Sequence, residues 1–407
     1  MPAIAGLRGT GDWGADERPK SFREMILWLE PNGASPLTAL MAKTKKETVN
    51  DPEFSWWEEV LTITILTVNG ALISTATALV VDSGALSLKA GDLLLVHRDG
   101  VAMTNAYANE IVRVTADPAS DTAATISRGF GGSSAAAIED NSLLTMIGSA
   151  YEEGTVHPKA TTRNPTKFYN FTEIFKDSYA ITGTAKSTRA RTGDPVKNDK
   201  KRKMFDHSTK LELAFLFGKR AEVVGPDGKP LRSTGGLMYF LAAASRVKIN
   251  TAAYTAGNMD ALIADLQDVF DYTGQGGNGS DERMILCGNG FLNAVNKLAT
   301  HAGEVNYGDI VKQYGMNFVR LVTPQGTFFL KSHPLMNVHP IFTTYGFVLN
   351  GRGLIYRPLT GRDSEPEDNI ETPGKDATEG QWLGECGGEY QHLQTMKVLG
   401  NVTWSLT

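Results

Sequence analysis

The chain has 407 residues, of which 41% are hydrophobic and 21% are charged, and its formal net charge is -5 at pH 7. This length is enough for two or three domains of about 100–200 residues each. The mild negative charge argues against a dedicated nucleic-acid-binding protein, which normally carries a strong basic excess. The two cysteines, Cys287 and Cys386, form no CxxC pair, so they indicate neither a disulfide framework nor a zinc site.

The sequence contains no targeting or membrane signal. No run of about 18 or more apolar residues occurs, and the N-terminus lacks the basic-then-apolar order of a signal peptide. We therefore expect a protein that is made in the cytosol and has no membrane contact.

Residues 1–58 are predicted to form an arm. Glycine, proline and charged residues are scattered through this segment, and its short apolar bursts contain Trp28, Trp56 and Trp57. Two interpretations stay open for these tryptophans. They fold back onto their own subunit, or they pack on a neighbouring subunit, where large aromatic side chains supply contact area at low entropic cost.

Residues 59–150 are predicted to form a small all-β module. Segment 61–68 (LTITILTV) alternates apolar residues with threonine, which is typical of a strand. Short apolar runs then alternate with turn residues at intervals of about 8–12 residues, a pattern that indicates a sandwich or barrel. The module is small enough to be an insertion in another domain.

Residues 151–231 are predicted to contain an extended polar stretch and then one long helix, over about 194–223. Asp194 is suited to cap this helix and Pro195 to occupy its first position. At 1.5 Å per residue the helix would be about 40 Å long. Its apolar stripe recurs at spacings of three and four residues: Met204, His207, Leu211 and Phe215.

The remaining chain is predicted to form an α/β domain over 232–350 and a final segment over 351–407. Segment 259–270 keeps helical spacing of apolar residues, and segment 284–287 (MILC) is typical of a buried strand. Residues 318–322 and 327–330 flank the turn 323–326 and predict a hairpin. The chain ends in a further strand-like segment, 396–404.

The sequence gives little support for catalysis, a metal or a cofactor. Residues 274–279 (GQGGNG) match GxGxxG, but they follow a predicted helix instead of a strand, so we interpret them as a loop. The histidines form neither HxxxH nor HExxH. A Ser/His/Asp arrangement stays open, because its members need to be adjacent only in space. We expect no cofactor and no enzymatic activity.

Two segments of opposite charge are candidate contact surfaces. A basic segment comprises Lys186, Arg189, Arg191, Lys197, Lys200, Lys201, Arg202 and Lys203. An acidic segment, 363–389, contains nine acidic residues and one lysine, and its acidic residues include Glu365, Glu367 and Asp368. Such segments suit head-to-tail association of identical subunits. A solvated helix face, or loose contact of the basic segment with DNA, are the alternatives.

The order of these parts resembles the tailed-bacteriophage major capsid proteins of the Hong Kong 97-type fold, in the subgroup with a β-barrel inserted in the extended loop. The resemblance covers nearly the whole chain. The stretches that carry it are 90–95 (AGDLLL), 109–115 (NEIVRVT), 126–132 (ISRGFGG), 170–175 (NFTEIF), 182–184 (TGT), 217–220 (FGKR) and 232–237 (RSTGGL).

The resemblance implies an α+β capsid fold. The arm and the extended loop (59–150) would reach over neighbouring subunits, and the long helix would be the spine of a peripheral domain (151–231). Residues 232–350 would form the axial domain at the five-fold and six-fold centres. The last strand, within 351–407, would rejoin the peripheral domain.

The resemblance also implies a function. Such subunits form pentamers and hexamers that close into an icosahedral shell around double-stranded DNA, so we expect a virion protein made in the host bacterial cytoplasm. Scaffold, portal and decoration proteins are further expected partners, with a scaffold that is a separate protein or absent. A tail or baseplate protein, an enzyme with an unrecognised site, and a host DNA-binding protein are the alternatives.

Overall fold

The computed structural model describes residues 36–97, 109–188, 192–250, 254–255, 259–272, 281–302, 307–313 and 316–405. They form two units, which we call the inserted unit (Trp57–Thr166) and the main unit (described residues 36–56 and 167–405). Trp28, Arg189, Arg191 and the segment 274–279 lie outside the described residues. Among the described helices, none is long and apolar enough to cross a membrane.

The inserted unit is an antiparallel sheet with an apolar interior. Strand β1 (Glu53–Glu58) pairs with β8 (Thr166–Phe171) outside this sheet. The strands of the inserted sheet are β2 (Ile65–Thr67), β3 (Ala78–Val80), β4 (Asp92–Val96), β5 (Ile111–Ser120), β6 (Ala123–Ser127) and β7 (Leu143–Ser149). The sheet order is β2-β7-β4-β5-β6-β3. Alternate residues point to one side of each strand, and that side carries the buried core: Leu66, Leu79, Leu94, Val96, Val112, Val114, Ile126 and Leu144.

The two end strands of this sheet are joined to each other. Val68 and Val81 form an antiparallel bridge, and the Asn69 amide donates to the Val80 carbonyl at 3.0 Å. The residues directly after β2 and β3 are therefore hydrogen-bonded to each other. The predicted strand 61–68 is wrong over its first half: Leu61 is 81% exposed, and regular pairing begins only at Ile65, where β7 becomes the partner.

A buried ion pair lies within the described part of the inserted unit. Arg128 donates from Nε and a terminal nitrogen to the two carboxylate oxygens of Glu110, at 2.6 and 2.7 Å. The Glu110 side chain is fully buried, and it also accepts from the Gly129 amide. Because Arg128 donates further to the carbonyls of Ile73 and Ala136, one pair fixes both the loop between β2 and β3 and the loop after β6.

The main unit contains the helices and the remaining strands. The helices are α1 (Pro36–Thr44), α2 (Gly183–Ser187), α3 (Pro195–Phe217), α4 (Leu237–Ala243), α5 (Met259–Gln267), α6 (Asn289–Ala302) and α7 (Pro334–Val338). The strands are β8 (Thr166–Phe171), β9 (Glu173–Thr182), β10 (Ala221–Val224), β11 (Pro230–Ser233), β12 (Val247–Ile249), β13 (Tyr254–Thr255), β14 (Glu282–Cys287), β15 (Tyr307–Gln313), β16 (Met316–Thr323), β17 (Gly326–Ser332), β18 (Gly346–Leu349), β19 (Leu354–Pro358), β20 (Glu365–Asp368), β21 (Ala377–Tyr390), β22 (Lys397–Gly400) and β23 (Trp404–Ser405).

The long helix α3 begins as the sequence predicts but ends earlier. The Asp194 side chain accepts from the amides of Val196 and Lys197, which caps the first turn. The helix stops at Phe217 instead of near 223. An added Cβ at Gly218 would lie 2.4 Å from the Ala214 carbonyl oxygen, so only glycine fits where the chain turns into the hairpin β10–β11.

Helix α3 packs on a four-stranded antiparallel sheet. In this sheet β21 pairs with β9 along one edge and with β19 and β20 along the other. Of the predicted apolar stripe, His207, Leu211 and Phe215 are buried, whereas Met204 is 55% exposed. The stripe therefore holds only for the part of the helix that the sheet and α1 cover.

The second layer of the main unit is a seven-stranded mixed sheet in the order β12-β22-β18-β14-β17-β16-β15. The predicted strand 284–287 and hairpin 318–330 are present as β14 and β16–β17. The final segment 351–407 contributes to both sheets. Strands β19, β20 and β21 pair in the sheet under α3, whereas β22 lies between β12 and β18 and buries Val398 and Leu399 in the second layer.

Residues 36–56 belong to the body, which corrects the predicted arm of 1–58 over this part. Leu37, Leu40 and Met41 of α1 are fully buried. The chain then runs beside β19, where the amides of Glu47 and Val49 donate to the carbonyls of Tyr356 and Pro358. A sequence window sees only short apolar bursts here, because the core that they complete comes from residues far along the chain.

We expect Arg128→Ala to lower the free energy of unfolding of the inserted unit by about 3–5 kcal/mol, because it leaves the Glu110 carboxylate buried and unpaired. Hydrogen exchange across 109–149, measured with increasing denaturant, reports this change. Arg163→Ala is the matched control, because Arg163 is exposed, and it should shift stability by no more than about 0.5 kcal/mol. Equal exchange in the two variants would contradict the structural role of the pair.

Candidate functional site

The four-stranded sheet has one face toward α3 and one face toward solvent. Along β9, Phe175, Asp177, Tyr179 and Ile181 are buried and the residues between them are exposed. Directly opposite residues of antiparallel strands share a face. The register of β20, β21 and β9 therefore assigns each candidate acidic residue to one face of this sheet.

Glu365 and Glu367 lie on the solvent face. Glu365 is opposite Leu383 and Glu367 is opposite Gln381, and these two in turn are opposite exposed residues of β9. The Gln381 side-chain amide donates to Glu367 at 2.6 Å. The solvent face of the sheet therefore carries these two carboxylates, and Lys176 of β9 lies on the same face.

Asp368 lies on the other face and is paired within the same chain. The Lys200 ammonium group is 2.6 Å from the Asp368 carboxylate, which also accepts from the Tyr179 hydroxyl. These hydrogen bonds, Lys200 first, lower the pKa of Asp368, and burial together with Asp368 raises the pKa of Tyr179 to about 12. The sequence predicts Lys200 and Asp368 on complementary surfaces of different subunits, but the structure pairs them with each other.

The other described basic candidates are near the start of α3. Lys201 and Arg202 are exposed, and Arg202 is 3.0 Å from Asp199. Lys186, at the end of α2, donates to the Thr378 hydroxyl at 3.1 Å. These side chains and the carboxylates of Glu365 and Glu367 thus belong to opposite sides of a layer made of helix and sheet.

The two described tryptophan candidates have opposite environments. In β1 alternate residues point inward, so Trp56 is 6% exposed and Trp57 is 62% exposed. Trp56 packs in the core, with ring centroids 6.0 Å from Phe168 and 5.9 Å from Phe240. The alternative that a tryptophan folds back onto its own subunit therefore holds for Trp56.

Two buried polar clusters were missed from the sequence. Glu212 and His333 are fully buried and hydrogen-bonded at 2.8 Å. In the second cluster, His207 lies 3.4 Å from Asp177 and 3.1 Å from the Ser364 hydroxyl. The only available signal was a polar residue next to an apolar stripe, as at Glu212, and its partners are not near it in sequence. Among the described residues, no cluster could hold a metal ion.

Comparison with known proteins assigns the chain to a family. The family model described as SU10 major capsid protein matches residues 6–403. The chain belongs to this family. It is also 26% identical over 370 residues to the major capsid protein of Pseudomonas phage PaMx41, a match that spans 90% of this chain and 85% of that protein.

Solved capsid structures are similar at low identity. The capsid of an empty GTA particle matches with 11% identity and a TM-score of 0.46, over 96% of this chain and 98% of that chain. A chain from Microbacterium phage Oxtober96 matches with 10% identity and a TM-score of 0.44, over 95% and 96%. The SrpI encapsulin from Synechococcus elongatus PCC 7942 matches with 12% identity and a TM-score of 0.40, over 60% and 77%.

Membership of a major capsid protein family confirms the predicted class of protein, a phage capsid subunit that is part of the virion. It also settles how Asp177, His207 and Ser364 are to be understood. These residue types occur in hydrolytic triads, but the family is structural. In this chain His207 is wedged between the rings of Phe175 and Trp382, with centroids 6.3 and 6.4 Å away. The cluster joins α3 to the sheet.

We expect this cluster to make stability depend on pH. Burial lowers the pKa of His207, Lys210 adds to this effect, and Asp177 opposes it. The unfolded chain therefore takes up the proton first, so the stabilisation is complete above about pH 6.5, the ordinary pKa of histidine, and is lost as the pH falls below it. One such proton changes the free energy of unfolding by at most about 1.4 kcal/mol per pH unit.

Urea unfolding between about pH 8 and 5.5, of the wild type and of His207→Gln, measures this contribution. The variant should show a shallower decrease in stability below pH 6.5, because the other histidines contribute equally in both proteins. Identical slopes would contradict this prediction, because they would show that folding does not lower the pKa of His207.

Proposed function

We propose that this chain assembles into pentamers and hexamers that close into an icosahedral shell around double-stranded DNA. The observation that carries the proposal is the match of the SU10 major capsid protein family over residues 6–403. We further propose that the shell subunit is made in the cytoplasm of the host bacterium and that scaffold, portal and decoration proteins are additional partners, without assigning a surface to any of them.

We propose that the inserted unit, as a small closed barrel, and its two connections form the extended loop that reaches over a neighbouring subunit. The exposed apolar side chains of these connections support this role: Leu61 is 81%, Ile63 63% and Val156 87% exposed. Trp57, 62% exposed, starts the first connection. Exposed apolar side chains that form a contiguous patch commonly mark a contact site for another protein.

We propose that Glu365 and Glu367 contact basic groups of an adjacent subunit. They lie on a solvent face whose strand β20 is exposed at every residue, so their charge is available to a partner. Contacts of this kind contribute modest free energy individually, and their repetition over a shell provides the stability of the whole. For Arg189, Arg191 and Trp28 the same role in contacts between subunits remains a proposal from the sequence.

The assembly proposal is tested by sedimentation of the purified protein, with negative-stain microscopy of the fast fraction. Capsomer rings or shells, closed or aberrant, are expected. A protein that stays monomeric or dimeric at high concentration, with a molecular crowder and with its scaffold co-expressed, would overturn the proposal.

The tryptophan pair sharpens this test. Trp57→Ala should change the free energy of unfolding by no more than about 0.5 kcal/mol but reduce the amount of assembled material. Trp56→Ala, the matched substitution inside the core, should cost about 3–5 kcal/mol of stability. Wild-type assembly by the Trp57 variant would exclude this side chain from the contact.

We propose that packaged DNA touches the exposed side of α3 loosely. Lys197 and Lys201 lie one turn apart on that side and are exposed, while carboxylates such as Asp199 neutralise part of the local charge. Weak, salt-dependent binding is the physical expectation for such a surface.

Binding of a double-stranded DNA fragment to the full chain should weaken as salt rises from about 50 to 200 mM. The double variant Lys197→Glu with Lys201→Glu should reduce the slope of log affinity against log salt by about two, one for each lysine. The control is Lys229→Glu, which makes the same charge change at an exposed site of the hairpin β10–β11. An equal loss from Lys229→Glu would contradict a specific role for α3.

A further inference from the structure

The spine helix α3 carries one carboxylate in its buried half. Glu212 is 0% exposed, next to the core residue Leu211. Its oxygen Oε1 accepts from the Leu37 amide at 2.7 Å, and its oxygen Oε2 accepts from the Thr38 amide at 2.8 Å. The Thr38 hydroxyl donates to Oε2 as well. Glu212 is therefore held by the first turn of α1, which is 174 and 175 residues away in the sequence.

This contact is a helix cap supplied from a distance. The first amides of any α-helix have no partner within the helix, and a side chain just before the helix usually accepts from them. In α1 the acceptor is a carboxylate on another helix. The positive end of the α1 dipole also favours the negative charge, so docking of α1 and burial of Glu212 depend on each other.

The same carboxylate reaches the second layer of the main unit. His333 Nε2 lies 2.8 Å from Glu212 Oε1, and both side chains are fully buried. His333 follows β17 of the seven-stranded sheet, and its amide donates to the Cys287 carbonyl of β14 at 2.8 Å. Glu212 thus joins the N-terminal segment, the spine helix and the second layer at one point.

The described N-terminal segment is attached at both of its ends. Glu212 holds its start, at Leu37 and Thr38. At its far end, Lys46 and Val49 bridge to Tyr356 and Leu359 in parallel. The first of these attachments directly follows residue 35, so the position of α1 determines where residues 1–35 join the described part of the chain.

We propose that Glu212 is the positioning residue for the N-terminal arm. By capping α1, it sets the point at which residues 1–35 join the body, and thereby which neighbouring subunit an arm made of them would contact. This inference rests on the proposed function of the chain as a self-assembling shell subunit. The apolar side of α1, Leu37 with Leu40 and Met41, supplies the docking energy, and the cap supplies the geometry.

The chemistry of the cap allows a sharp test. Both Glu212 oxygens accept hydrogen bonds, so in Glu212→Gln the amide nitrogen must face a donor, either the Leu37 side or the Thr38 side. The variant keeps the shape of the side chain but loses one half of the cap, together with the negative charge at the N-terminus of α1. His333→Gln is the matched control, because glutamine at 333 retains an N–H donor in the same cluster and leaves the α1 amides untouched. Thr38→Val removes only the hydroxyl bond.

The experiment uses the full chain and two measurements. Hydrogen exchange of the amides in 36–44 should be faster by roughly tenfold or more in Glu212→Gln, because local opening becomes easier, while exchange in β9, β14 and β21 stays near that of the wild type. The yield of regular shells should fall by roughly tenfold under the conditions of wild-type assembly. Thr38→Val and His333→Gln should stay near the wild type in both measurements.

Three outcomes would overturn the inference. Unchanged exchange over 36–44 in Glu212→Gln would show that the cap does not hold α1. Faster exchange together with normal shells would show that docking of α1 does not position the arm. An equal assembly defect in His333→Gln would also overturn it, because that variant disturbs the cluster without removing the cap.

Glu212→Asp covers the case in which the glutamine variant fails to fold. Aspartate keeps the charge but is one methylene shorter, so it should cap α1 less well. Hydrogen exchange of the amides in 36–44 should therefore be faster than in the wild type, and the yield of regular shells should fall accordingly. Normal shells despite faster exchange would overturn the inference here too. Failure of the wild type itself to assemble would instead count against the proposed function, and the exchange measurement would remain informative.

Discussion

The packing of α3 on two sides constrains the rest of the main unit. The four-stranded sheet covers one side of the helix, and α1 and α4 pack against its C-terminal half, where Leu211, Phe215 and Leu216 are buried. Only the N-terminal half keeps an open side, and there the sequence changes to lysine and arginine. The distribution of charge on this unit therefore follows from which part of one helix has neighbours. Carboxylates on the same layer are either drawn into pairs with that helix, as Asp368 is by Lys200, or left on the opposite face, as Glu365 and Glu367 are.

Buried polar groups join segments that are distant in sequence. Glu110 and Arg128 are 18 residues apart, while Glu212 meets Leu37 across 175 residues. A buried ionic or polar pair adds little net stability compared with an apolar contact of the same size. It does penalise any arrangement in which one partner is missing, because an unpaired buried polar group costs the full desolvation free energy. In this chain that penalty disfavours other positions of the loops around Arg128, undocking of α1, and separation of α3 from the sheet.

A capsid subunit has to be stable alone and still expose groups for its neighbours. The described residues combine both properties by strand alternation: in β1 one tryptophan is buried and the next is exposed. The inserted unit has its own core and its own buried ion pair, so its stability is provided locally. Its connections, in contrast, are extended and largely exposed, and contribute few contacts within the subunit. Side chains of this kind are suited to be covered by another copy of the chain.

The sequence by itself determined the order of the parts. It contains the strand-rich insertion, the cap and start of the long helix at Asp194, the strand 284–287 and the hairpin 318–330, because hydrophobic period, capping and turn chemistry act over a few residues. The quoted motifs also carried the capsid resemblance, which the family match bears out.

Only the tertiary structure decided which residues meet. It places residues 36–56 in the core instead of an arm, gives the last long-range strand, β22, to the second layer, and pairs Lys200 with Asp368 inside one chain. It also assembles the clusters around Glu212 and His207, whose members come from separate segments. Each of these results depends on contacts between residues far apart in sequence, and such contacts are selected by the shape and burial of the whole core, which no local window of the sequence contains.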